Sequence, residues 1–204
     1  MGLIKGALSL TRYRVIEEPP ETLTDKYLSG RLAKNAFLDI EESPEELSLG
    51  WVEFGHHLGT NFNPATYRFG GLFAFTLRLD TRRLPPAILR RYCALREARY
   101  TVQTGRRLNS LVRREMKEAV RTDLLRRALV STELMEVAWL HQENEVWLAA
   151  TGEKRRERFE ELWGRTFGLA LRMEVLPLTY GLEKLADRLR QALLSVRPEP
   201  IWLG

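Results

Sequence analysis

Apolar and polar positions in this chain change period several times, and each change marks an element. From Ala7 to Ile16 the apolar residues alternate in two phases, Leu8 and Leu10, then Tyr13 and Val15, which predicts a first strand with a bulge near Thr11. Glu17-Glu18-Pro19-Pro20 ends it. Thr22 or Thr24 then caps a helix whose buried side draws on Leu23, Tyr27, Leu28, Leu32 and Ala36. After Phe37 to Ile40 and an acidic loop, Glu41 to Glu46, a second strand is expected over Leu47 to Val52, with Gly50 marking a bulge or a close backbone approach. The stretch from Gly55 to Gly71 reads as loop, and Leu72 to Asp80 as a third strand.

Beyond it the period is helical. Leu84-Pro85-Pro86 is an entry signal, because proline presets φ and lacks an N–H that the first turn would leave unpaired anyway. Ile88, Tyr92, Leu95 and Val102 share one stripe, interrupted by Arg99, and Gly105 suits a left-handed C-cap. A second helix follows, with Asn109 or Ser110 as its N-cap. Leu134 to Leu140 and Val146 to Ala150 form a hairpin around Gln142-Glu143-Asn144. Glu153 to Phe167 is a charged helix burying Phe159, Leu162, Trp163 and Phe167, Leu169 to Leu176 a further strand, and Leu182, Leu185, Leu189 and Leu193 a final helix before a short tail.

Strands that arrive mostly as hairpins predict an α+β fold with antiparallel or mixed sheets and helices packed on one face. The expected divisions are 1–81, an N-terminal α+β half; 82–130, a helical segment; 131–178, a second half in roughly mirrored order; and 179–204, a C-terminal helix and tail.

Charge singles out the middle segment. Arg82 to Arg127 holds fourteen Lys or Arg against four acids, a net of +10, whereas the whole chain carries only +5. The remainder is therefore net negative, and the molecule is polarised rather than uniformly basic. At about 100° per residue, Leu108, Val112, Met116, Ala119 and Val120 gather on one strip of the second helix. Arg113, Arg114, Lys117 and Arg121 gather beside it, with Glu118 as a flanking acid. Such a strip can follow phosphates along a duplex, and arginine pairs with them bidentately. The candidate DNA contacts are Arg106, Arg107, Arg113, Arg114, Lys117 and Arg121, with Arg82, Arg83, Arg90 and Arg91 as secondary ones. The second helix has no aromatic residue among its charges, which disfavours stacking on single strands; Tyr92 and Tyr100 keep that option open on the first. An acidic protein partner for the same face is the other reading. The acidic loop is expected to keep DNA off its own surface.

Little points to catalysis. Glu115-Met116-Lys117 has a Glu-x-Lys spelling, but two helical steps put those side chains on nearly opposite sides. His56-His57 lacks further ligands at metal spacing, and there is no glycine-rich phosphate loop. No catalytic residue, metal or cofactor is expected. A single cysteine, Cys93, rules out an internal disulfide and fits a reducing interior. No stretch approaches a membrane span, and the N-terminus reads as a strand rather than a signal peptide, so the cytoplasm is the expected compartment.

The landmarks together resemble the RdgC family of recombination-associated proteins. They are Asn35-Ala36-Phe37 at a helix end, Gly50-Trp51-Val52 after an acidic loop, Arg83-Leu84-Pro85-Pro86-Ala87 after a strand, Glu115 to Val120 leading to Leu124-Leu125-Arg126-Arg127-Ala128-Leu129, and Leu176-Pro177-Leu178. The resemblance implies a nucleoid-associated protein that binds double-stranded DNA with little sequence preference. It also implies a ring-shaped homodimer around a positive hole and restraint of the RecA recombinase by occupation of duplex DNA. The family has carried an exonuclease label as well, which makes a metal-dependent exonuclease the alternative. Longer members continue well beyond the strand ending at Pro177, so a closed ring, an open clamp and closure through a single interface all stay open.

Overall fold

A computed structural model of the chain describes residue 3 and residues 9–16, 23–41 and 43–174. The elements, in chain order, are β1 (Thr11–Val15), α1 (Asp25–Lys34), β2 (Leu47–Glu53), α2 (Pro64–Tyr67), β3 (Arg68–Phe69), β4 (Leu72–Arg82), α3 (Pro86–Thr104), α4 (Ser110–Arg127), β5 (Val130–Leu140), β6 (Glu145–Leu148), α5 (Glu153–Phe167) and β7 (Leu171–Glu174). The seven strands form one open sheet in the order β2-β4-β5-β6-β1-β7, with β3 also on β4. Every ladder is antiparallel, so the fold is α+β. The expected final helix over Leu182 to Leu193 and the first part of the N-terminal strand lie outside the described residues.

The long central ladder pairs β4 with β5 from Phe73↔Trp139 to Arg82↔Val130. Because side chains alternate across a strand, Phe73, Phe75, Leu77 and Leu79 of β4 and Met135, Val137 and Trp139 of β5 face one side. There they meet Leu28 and Leu32 of α1 and Phe159, Leu162, Trp163 and Phe167 of α5. The α5 residues follow the i, i+3, i+4 spacing that makes one helix face apolar. Trp139 and Trp163 pack edge to face at 5.0 Å, and Trp51 and Phe75 at 4.8 Å. Buried Trp51 donates its Nε1–H to Thr166 Oγ1 at 2.8 Å, which ties β2 to α5 and satisfies an indole that would otherwise lose its water partner. β1 inserts between β6 and β7, with Tyr13 opposite both Val146 and Met173. The first strand in sequence thus completes the sheet built by the last ones.

Two local features depart from the sequence-based expectation. The stretch 55–71 is not plain loop: Asn63 caps the short α2, and Phe62 and Tyr67 are buried in the core. β5 begins at Val130, four residues earlier than its apolar run, because the partner strand β4 continues to Arg82 and supplies hydrogen bonds regardless of side-chain polarity. On α5, Arg158 pairs with Glu161 at 3.3 Å, and Arg155 pairs with Glu133 of β5 at 2.9 Å.

The second face of β4 is covered as well. After α1 the chain runs beside β2, where Phe37 N–H donates to Trp51 O at 2.9 Å and Trp51 N–H to Asn35 O at 3.0 Å. Gly50 is the close approach expected of it: a Cβ there would lie 2.7 Å from the Ala36 carbonyl carbon and nearer still to the Phe37 backbone. Phe37 and Glu41 then lie against side chains on the outer face of β4, Arg78 and Arg82. Arg78 forms a bidentate pair with buried Asp80 at 3.0 and 2.7 Å, donates to His57 O, and stacks 4.1 Å over the Phe37 ring.

Candidate nucleic-acid interface

The basic segment is a helical hairpin inserted where β4 would otherwise turn directly into β5. Since the ladder stays paired up to Arg82↔Val130, the two helices are rooted in the sheet and extend from its end. Pro86 sits in the first turn of α3, and Gly105 closes that helix in the left-handed region, φ 67°, with its N–H donating to Thr101 O at 2.9 Å. Asn109 caps α4 through a 2.8 Å hydrogen bond from Val112 N–H. Eighteen helical residues rise about 27 Å.

The pair is thinly packed. Leu89, Cys93 and Tyr100 of α3 are half-buried, at the spacing of a helix face turned toward α4. From α4 come half-buried Val112 and Met116 and buried Val120 and Leu125, with Leu108 just ahead of the helix. Most of the apolar strip read from the sequence therefore does seat α4, whereas Ala119 is exposed. The stripe read from α3 does not seat that helix. Ile88, Tyr92, Leu95 and Val102 are 42%, 45%, 47% and 85% exposed, and α3 buries no residue. The seam between the helices instead uses the stripe one step round from it.

The candidate contacts divide into three groups. Arg82 is only 4% exposed and belongs to β4; its guanidinium donates to Ser43 O and Glu41 O. It is a structural residue and not a phosphate contact, because the ladder runs two residues past the end of its apolar pattern and turns this side chain toward the Glu41 and Ser43 carbonyls. Arg113 and Arg121 are exposed but carry carboxylate partners. Arg113 pairs with Glu97 of α3 at 2.6 Å, and Arg121 with Glu46, its Nε lying 3.2 Å from Oε1. The hydrogen bond to Glu46 is the main reason the Arg121 guanidinium holds its proton still more tightly than usual, and the nearby charge of Glu118 adds to it. The acidic loop thus lies against the root of the basic hairpin instead of on a separate surface.

The third group is Arg83, Arg90, Arg91, Arg106, Arg107, Arg114 and Lys117. All seven are exposed, and none forms an ion pair among the described residues. Arg96, Arg99 and Arg126 share that condition and were not singled out from the sequence, although the segment's charge count included them; Arg127 is tied to Asp123 at 2.9 Å.

No curated protein matches the chain. A family model described as "Putative exonuclease, RdgC" matches residues 9–185. The chain belongs to the RdgC family. Membership supports, in general terms, a recombination-associated nucleoid protein, in line with the resemblance read from the sequence. The matched span takes in the whole described sheet and the helical hairpin of this RdgC-family chain. Among the described residues no group of three or more His, Cys, Asp or Glu could hold a metal ion, and no helix is long and apolar enough to cross a membrane.

Proposed function

We propose that this RdgC-family protein binds double-stranded DNA without sequence preference, acts in the nucleoid, and restrains RecA-type recombinase by occupying duplex DNA. One observation carries the reading: seven exposed Arg and Lys of the candidate set, free of carboxylate partners among the described residues, sit on or beside a helical hairpin that extends from the end of the sheet. Arginines on such a surface displace condensed cations from the phosphate backbone, which gives affinity without base readout. The protein does so without catalysis; on α4, Glu115 and Lys117 are both exposed and separated by about 200° of helix.

A second copy of the chain completes the assembly. The exposed α3 stripe of Ile88, Tyr92, Leu95 and Val102 is an unpartnered apolar face. Helical angles measured from the α3–α4 seam put it on roughly the opposite side of the hairpin from Arg113, Lys117 and Arg121. A homodimer partner can therefore cover the stripe while DNA lies on the cations.

The test is fluorescence anisotropy with a labelled duplex over a range of salt. Seven phosphate contacts give a slope of log K against log salt of about −6, and a loss of roughly 10⁴ in affinity between 50 and 200 mM. The triple change R107E/R114E/K117E is expected to abolish binding at an unchanged melting temperature. Undiminished binding by that variant, or a slope shallower than about −2, would remove the basis of the reading. Magnesium-dependent digestion of linear DNA that vanishes in E115Q would favour the exonuclease alternative.

A further inference from the structure

We infer that Glu46 and Glu97 set the affinity of the cationic face by standing in for phosphate on Arg121 and Arg113 until a duplex displaces them. This rests on the duplex-binding reading.

The geometry is that of a carboxylate substituting for a phosphate oxygen. On α4 the strip of Arg113, Arg114, Lys117 and Arg121 has paired members at its two ends and unpaired ones between them, and both partners come from outside the helix. Glu97 reaches across the seam from α3 to Arg113 at 2.6 Å. Glu46 stands immediately before β2 and contacts Arg121 through both Nε and a terminal guanidinium nitrogen.

Glu46 is held there by its backbone. Its carbonyl accepts the Arg82 N–H at 2.8 Å, and the buried Arg82 guanidinium grips the carbonyls of Ser43 and Glu41 just before it. Arg82, read from the sequence as a phosphate contact, is thus a positioning residue for the carboxylate that occupies Arg121.

Both pairs are open to solvent, with side-chain exposures of 59% and 39% for Arg113 and Glu97 and 45% and 47% for Arg121 and Glu46. Exposed pairs of this kind contribute little net stability, so phosphate can replace the carboxylate at small cost. Replacement has a signature in the salt dependence. When a free arginine meets a phosphate, a condensed cation is released. When a paired arginine does so, the abandoned carboxylate recruits a cation in turn and the release is largely cancelled. Arg114 and Lys117 therefore each contribute about 0.9 to the slope of log K against log salt, whereas Arg113 and Arg121 contribute little while their carboxylates remain.

The experiment measures duplex affinity over a salt series for the full chain and for E46Q, E97Q, R121Q and E46Q/R121Q. E46Q and E97Q are each expected to steepen the slope by about 0.9, which at 0.1 M salt corresponds to roughly eightfold tighter binding. In the R121Q background E46Q is expected to bring no gain, because the arginine it would release is gone. Thermal melts check folding, and E97Q, on a different element, keeps the question open to refutation if E46Q loosens the segment around it. Unchanged affinity and slope in both single variants would overturn the inference. So would a gain from E46Q that survives in R121Q, since that is the effect of removing any surface acid. Wild-type protein that fails to bind duplex even at low salt sinks the duplex-binding reading, and this inference with it; wild-type binding with inert variants sinks only the inference.

Discussion

Gly50→Ala is the sharpest test of how the chain after α1 is held against β2. In an ordinary strand the change would be mildly favourable, because glycine costs about 0.5–1 kcal/mol relative to alanine. Here the added methyl would lie 2.7 Å from the Ala36 carbonyl carbon, and closer to Phe37, where ordinary contact begins at 3.4 Å. The obstacle is backbone, so no rotamer change relieves it. Either β2 or the 35–37 segment must retreat by about 0.7 Å or more. That retreat stretches the hydrogen bonds from Phe37 N–H to Trp51 O and from Trp51 N–H to Asn35 O, each worth about 1 kcal/mol. Overpacking adds about 1–3 kcal/mol, for a total near 3–5 kcal/mol. For a chain of this size that corresponds to a melting temperature lower by about 6–20 °C. Chemical denaturation followed by tryptophan fluorescence reads the loss directly, with fully buried Trp51 one of the reporters. A variant within about 1 kcal/mol of wild type would mean that the 35–37 segment lifts off β2 freely.

Two further outcomes are expected. Buried Tyr67 donates to the Asp25 carbonyl and carboxylate, and burial, reinforced by the Asp25 charge, pushes its phenol up to about 12. The unfolded chain ionises this group near 10, so stability that is complete below pH 10 should fall as pH rises toward 12, and Y67F should flatten that part of a stability-versus-pH curve. N109A removes the cap that accepts the Val112 N–H. It should cost about 1 kcal/mol and fray the start of α4, weakening duplex binding without changing its salt slope; a slope change would assign Asn109 a direct role in the charge contacts.

Much of the interface was legible from residue types alone. Both helices of the hairpin, the Asn109 cap and the Gly105 left-handed turn follow from local chemistry: proline in a first turn, an Asn side chain ahead of a helix, and a glycine where φ must be positive. The apolar face of α5 was equally readable, because Phe159, Leu162, Trp163 and Phe167 recur at the helical period and bury as that period predicts. The α3 stripe shows the limit of the same reasoning. Periodicity identifies Ile88, Tyr92, Leu95 and Val102 as one face, but it does not say whether anything covers that face.

Arg82, Arg113 and Arg121 show it more clearly still. Local sequence determined that this protein would carry a strongly cationic helical hairpin on an otherwise net-negative body, since charge and helical period are properties of neighbouring residues. Tertiary structure alone decided which of those cations are available. Glu46 lies 75 positions from Arg121 and Glu97 lies 16 from Arg113, and the guanidinium of buried Arg82 bonds to carbonyls 39 and 41 positions away. Ion pairs and burial depend on distance in space, and the fold brings these groups together from far apart in the chain.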